Sequence, residues 1–136
     1  GDWSSDVCSS DLAALVPDDC MYCINSGGDL RQSKWQGEYV GIRVPDAASD
    51  AVVEVPMAQA AVATSANYFR DGLYGVVDPS GCTSLDYELS MSVFAPTCMQ
   101  ADALTKVAWM QPTSTVLREQ ATGVVEVNRL GEVRYV

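Results

Sequence analysis

Glu88-Leu89-Ser90-Met91-Ser92-Val93-Phe94-Ala95, followed at once by Pro96 and then by a predicted helix over residues 97–110, is the stretch that decides the fold class. In its first part Leu89, Met91, Val93 and Ala95 recur at every second position, the period of a strand with one face on a core. Pro96 stops the strand, and Thr97 supplies a hydroxyl suited to capping a helix N-terminus. The period then changes. Ala101, Leu104 and Ala108 return at helical spacing and are expected to face the sheet, whereas Asp102, Thr105 and Lys106 share a different face.

Working outward from this strand and helix, residues 38–44 alternate, with Val40, Ile42 and Val44 on one face until Pro45 ends the run. Residues 51–57 and 60–65 read as further strands, rich in alanine and valine. A short strand over 73–77 runs into the turn Asp78-Pro79-Ser80-Gly81. On the N-terminal side, residues 20–25 read as a buried strand closed by the tight turn Gly27-Gly28. Residues 13–16 read as the tail of a helix. On the C-terminal side, a short helix over 113–120 precedes a hairpin of residues 123–128 and 132–136 around Arg129-Leu130-Gly131. Strands in runs with few helices give an α+β class, with a mixed or antiparallel sheet and a few packed helices.

Composition narrows the function. The 136 residues suffice for one modest core. The formal net charge is −10, with eight lysines and arginines scattered singly along the chain. A phosphate-backbone interface needs those charges clustered, so nucleic acid is not an expected partner. No apolar run approaches the roughly 18 to 20 residues of a membrane span. Cys20-Met21-Tyr22-Cys23 has the spacing of a zinc or redox motif, but on a strand residues three apart point to opposite faces. The chain also contains no histidine to complete such a site. The cysteines are therefore read as structural. Residues 2–12 resemble the in-frame translation of a sequencing-library adapter, and residues 1–12 are set aside as an expected artefact. Leaving out Asp2, Asp6 and Asp11 changes the net charge from −10 to −7.

Three segments carry a resemblance: Asn25-Ser26-Gly27-Gly28-Asp29-Leu30, Val76-Val77-Asp78-Pro79-Ser80-Gly81, and Ala101-Asp102-Ala103-Leu104-Thr105-Lys106. With Ala63-Thr64-Ser65-Ala66-Asn67-Tyr68 between the first two, they resemble, in order and spacing, the C-terminal half of the ApbE family of FAD:protein FMN transferases. The resemblance implies that residues 13–136 are the C-terminal part of an ApbE-like domain whose N-terminal half is absent. It implies an activity too: FMN passes from FAD to a threonine or serine of a target flavoprotein, with magnesium assisting the phosphoryl transfer. FAD and that flavoprotein are the implied partners. Members of the family occur both in the cytoplasm and as exported, lipid-anchored proteins, so the resemblance leaves the compartment open.

Carried over residue by residue, the resemblance places Gly27, Gly28, Asp29, Ser65, Val77 and Lys106 against FAD, and Asp102 and Thr105 at the metal. Glycines suit a close backbone approach, and Val77 would pack on the flavin rings. Two positions depart from the family. A histidine expected before Val76 is replaced by Gly75, which removes the side chain best suited to proton transfer near neutral pH, so no catalytic residue is assigned. A metal-binding threonine is replaced by Lys106, whose ammonium repels a cation. Lys106 thus admits three readings: a solvated ion pair with Asp102, a lysine directed at a phosphate, or a neighbour of a working magnesium site. Two other functions stay open, a non-catalytic FAD-binding relative with a degenerate metal site and a structural or interaction domain.

Overall fold

The computed structural model describes residues 11–46, 48–66, 77, 78, 80, 81, 83, 84 and 88–136. Residues 11–15 are helical. The strands that follow are β1 (Cys23–Ser26), β2 (Asp29–Gln32), β3 (Tyr39–Arg43), β4 (Val52–Pro56), β5 (Ala61–Ala66), β6 (Val77–Asp78), β7 (Thr83–Ser84) and β8 (Leu89–Ala95). Helices α1 (Cys98–Met110) and α2 (Thr115–Gln120) lead to β9 (Gly123–Asn128) and β10 (Val133–Tyr135). Six strands form one sheet in the order β1-β2-β5-β8-β9-β10, while β3 with β4 and β6 with β7 form separate ribbons. Every described pairing is antiparallel. The α+β class with an antiparallel sheet holds.

β8 lies inside the sheet, and its register to β5 sets Ala61 against Ala95 and Ser65 against Met91. Its odd-numbered residues Met91, Val93 and Ala95 join Ala63 and Val124 in a cluster under Ala101, Leu104 and Ala108 of α1. Phe94 points the other way. It joins Val62, Val125 and Val127 in a second cluster beneath Ile42, Val44, Val55 and Met57 of the β3–β4 segment. The fold is thus helix, sheet and ribbon in three layers, and residues 90–95 are buried on both faces. The expected inward faces of residues 38–44 and of the helix are both observed.

The start of α1 follows the sequence signal. Thr97 takes an extended conformation and its hydroxyl oxygen accepts a hydrogen bond from the Gln100 amide at 3.3 Å. Such a cap satisfies an amide that the helix itself leaves without a partner. At the far edge, Arg134 on β10 donates from Nε and Nη2 to both carboxylate oxygens of Glu126 on β9, at 3.1 and 2.7 Å. Hydrogen bonding to Glu126, then its charge, raises the Arg134 guanidinium further above its ordinary range.

One expectation needs correction. The predicted buried strand over 20–25 is instead β1, shifted toward the Gly27-Gly28 turn and lying at the edge of the sheet. With only β2 beside it, its side chains alternate between exposed and half-buried, and Cys20 and Cys23 are both exposed. The strand β2, which sequence periodicity did not reveal, supplies its partner. The expected strand over 73–76, Gly75 and the adapter-like residues 2–10 lie outside the described residues. Among the described residues, no helix is long and apolar enough to cross a membrane.

Candidate functional site

Gly27 and Gly28 take φ of 65° and 101°, the pair of positive values that a tight hairpin turn between twisted strands demands. Side chains disfavour those angles, which is why two glycines occupy the turn. The Asn25 Oδ1 accepts from the Gly28 amide at 3.2 Å and braces it. Ser26 and Asp29 pair across the base, so Asp29 opens β2.

The turn stands beside the end of β5. Leu30 pairs with Val62 and Arg31 with Ala61. A cleft of about 320 Å³ is lined by Asn25, Gly27 and Gly28 on one side, Thr64 and Ala66 on another, and Gly41, Ile42 and Arg43 from β3. Its position on the ribbon side of the sheet follows from alternation, since Val62 packs toward β3 and β4. Ser65, between Thr64 and Ala66, faces α1.

On the α1 side the candidate residues are joined directly. The hydroxyls of Ser65 and Thr105 lie 2.7 Å apart, and the Thr105 hydroxyl donates to the Asp102 carbonyl at 2.7 Å. A hydroxyl has one proton, so Thr105 spends its own on Asp102 and accepts the proton of Ser65. The Lys106 Nζ donates to an Asp102 carboxylate oxygen and, at 3.2 Å, to the Asp102 carbonyl. Trp109 Nε1 donates to the Ser65 carbonyl at 3.3 Å and closes the base of the group. Four of the predicted residues, Ser65, Asp102, Thr105 and Lys106, therefore form one connected cluster. Gly27 and Gly28 line the cleft on the opposite face of the sheet, and register turns Asp29 toward the α1 face. Val77 belongs to β6, in a separate ribbon.

Thr105 differs from the sequence expectation. It is completely buried, whereas the side chains of Asp102 and Lys106 are 36% and 45% exposed. Helix geometry places position 105 at the border of the packed stripe, and Ser65 draws its hydroxyl inward. Sequence reasoning also missed a polar row on the ribbon face. The Thr64 and Ser92 hydroxyls lie 2.7 Å apart, and Ser90 is fully buried with no hydrogen-bond partner for its hydroxyl among the described residues. The only signal for them was serine at alternate positions of an otherwise apolar strand.

These residues do not fit a magnesium ion. The ion needs several oxygen ligands in near-octahedral array. Here one carboxylate oxygen and the carbonyl of Asp102 already accept from an ammonium, and the Thr105 oxygen is buried and committed. Among the described residues there is no group of three or more histidine, cysteine, aspartate or glutamate side chains arranged to hold a metal.

The family model for ApbE matches residues 17–126, which takes in the glycine turn, both layers of packing and the α1 cluster. The chain belongs to the ApbE family. Among solved structures, it is similar to an ApbE protein of Thermotoga maritima, with 23% identity, a TM-score of 0.64, and coverage of 96% of this chain and 47% of that one. It is also similar to the apo form of the Pseudomonas stutzeri flavinyl transferase ApbE, at 20% identity and a TM-score of 0.59. That match covers 98% of this chain and 46% of the other. At such identities the likeness concerns the fold. The chain spans about half the length of these two ApbE structures. A search of curated proteins found no significant match.

Proposed function

We propose that residues 13–136 form the C-terminal part of a flavin transferase domain that moves FMN from FAD to a threonine or serine of a target flavoprotein. The observation that supports this reading most is the family match across residues 17–126. FAD would lie between this portion and the other half of the domain. The hydroxyl oxygen of the target attacks the FMN-side phosphorus, the bond between the two phosphates breaks, and AMP leaves. The hydroxyl proton leaves to a base or to solvent, and this portion of the domain holds no histidine to take it.

Reactions of this kind depend on positioning and on compensating phosphate charge, with little covalent work for the protein. In this reading the Gly27-Gly28 turn lets the ligand approach closely on the ribbon face. Asp29 and Ser65 belong to the α1 face, where the Ser65 hydroxyl is already held by Thr105. Val77 is carried over from the family resemblance as the residue that would pack on the flavin rings. An ammonium has three N–H groups. Two of those on Lys106 go to Asp102, and the third is assigned to a phosphate oxygen, at the strength of a charged hydrogen bond.

One observation favours a second reading. The lysine that occupies the Asp102 oxygens is a change that a non-catalytic FAD-binding relative would tolerate. The deciding experiment adds FAD together with an acceptor flavoprotein that offers a threonine or serine hydroxyl to protein carrying both halves of the domain, and follows flavin fluorescence and AMP release. Bound flavin with AMP supports the transferase. Bound flavin without AMP supports the binding relative, and no bound flavin leaves a structural or interaction domain and overturns both.

A further inference from the structure

We propose that Lys106 closes this turn of α1 to divalent cations, so that its ammonium is a covalently attached substitute and binding here is indifferent to magnesium. The choice of site rests on the transferase reading, but the inference concerns the helix turn itself. Nζ donates to two oxygens of one residue, the carboxylate and the carbonyl of Asp102. Those are the oxygens that an entering cation would need. The third nearby oxygen, Thr105 Oγ1, is buried and held by Ser65 and the Asp102 carbonyl. A cation approaching from solvent thus meets a positive charge beside the Asp102 carboxylate, bonded to one of its two oxygens and to the Asp102 carbonyl.

The occupant is also well held. Lys106 follows Asp102 by one helical turn, the spacing at which side chains meet without strain. The helix beneath is anchored on its packed face by Ala101, Leu104 and Ala108. Nothing needs to rearrange for the pair to persist, because both side chains stay partly exposed and hydrated. The pair need not contribute much to stability for this role; it only has to be the occupant of lowest free energy.

The test uses Mn²⁺ alone, without flavin, so its failure is distinct from failure of the transferase reading. Mn²⁺ is titrated into the isotope-labelled chain, and selective broadening of backbone amide signals is followed by NMR. The wild type should show no selective broadening at residues 101–106. Lys106→Thr and Lys106→Ala should show it, with apparent affinity at least about tenfold higher, as removal of a unit charge near a divalent ion implies even in a high dielectric. Adding Asp102→Asn to Lys106→Thr should abolish it. Equal broadening of the wild type and the two single variants overturns the proposal. So does its absence from both single variants, since the lysine would then not be what keeps the metal out.

Discussion

Replacing Thr105 by valine keeps the shape and the β-branch of the side chain while deleting its hydroxyl, and it tests whether this residue is a ligand or a fastener. In the structure Thr105 is wholly buried and joined at 2.7 Å to both the Ser65 hydroxyl and the Asp102 carbonyl. Deletion removes two hydrogen bonds, each worth about 1 kcal/mol net. The Asp102 carbonyl keeps Lys106 as a donor, so its loss is cushioned. Ser65, a residue only 9% exposed, loses the acceptor of its hydroxyl, and an unsatisfied buried hydroxyl costs about 1–3 kcal/mol. The added methyl recovers part of this through apolar burial. The expected destabilisation is about 1–3 kcal/mol. Ser65→Ala should cost less, because Thr105 still donates to Asp102. The double variant should lie close to Thr105→Val alone, giving a coupling of about 1 kcal/mol. Urea unfolding measures all four proteins, with a shift in midpoint at constant slope as the sign of a pure stability change. Additive effects, or a Thr105→Val protein within about 0.5 kcal/mol of wild type, would refute the structural role.

Thr97→Ala should destabilise the protein by about 0.5–2 kcal/mol through loss of the α1 cap, and thermal unfolding would detect it. Gly41→Ala would bring its Cβ to 2.7 Å from Val52 Cγ1. The cost should be about 1–3 kcal/mol in a urea melt and should largely vanish when Val52→Ala is added. The Cys98 thiol is fully buried, whereas Cys20 and Cys23 are exposed. A thiol reagent with peptide mass spectrometry should label the latter two in the native state and Cys98 only on unfolding. Leu104→Ala should cost about 2–5 kcal/mol in the same urea assay, since Leu104 sits in the cluster between α1 and the sheet.

Local signals carried a large part of the architecture. Thr97 marked the start of α1, the glycine pair marked the hairpin turn, and alternation picked out the inward face of β3 and one inward face of β8. Each is a property of a few adjacent residues, governed by backbone angles or by a single period. β2 escaped because Asp29-Leu30-Arg31-Gln32 is too short and too polar to show a period. β1 was misplaced because an edge strand is buried on fewer sides than its apolar residues imply.

The site divides along the same line. Helical spacing alone joins Asp102 to Lys106, since both lie on one turn. Only the register of β5 beneath α1 brings Ser65 to Thr105 and turns a residue expected beside Asp102 and Lys106 into a buried fastener. Burial of Ser90 and Ser92 likewise depends on the β3–β4 ribbon packing on the second face of β8. The amino-acid sequence by itself determined most of the elements, the cap of α1 and the spacing that lets Asp102 meet Lys106, because those interactions span a few residues along the chain. Tertiary structure decided which oxygens are already taken, because that depends on groups 40 residues apart, Ser65 and Thr105, meeting across two layers.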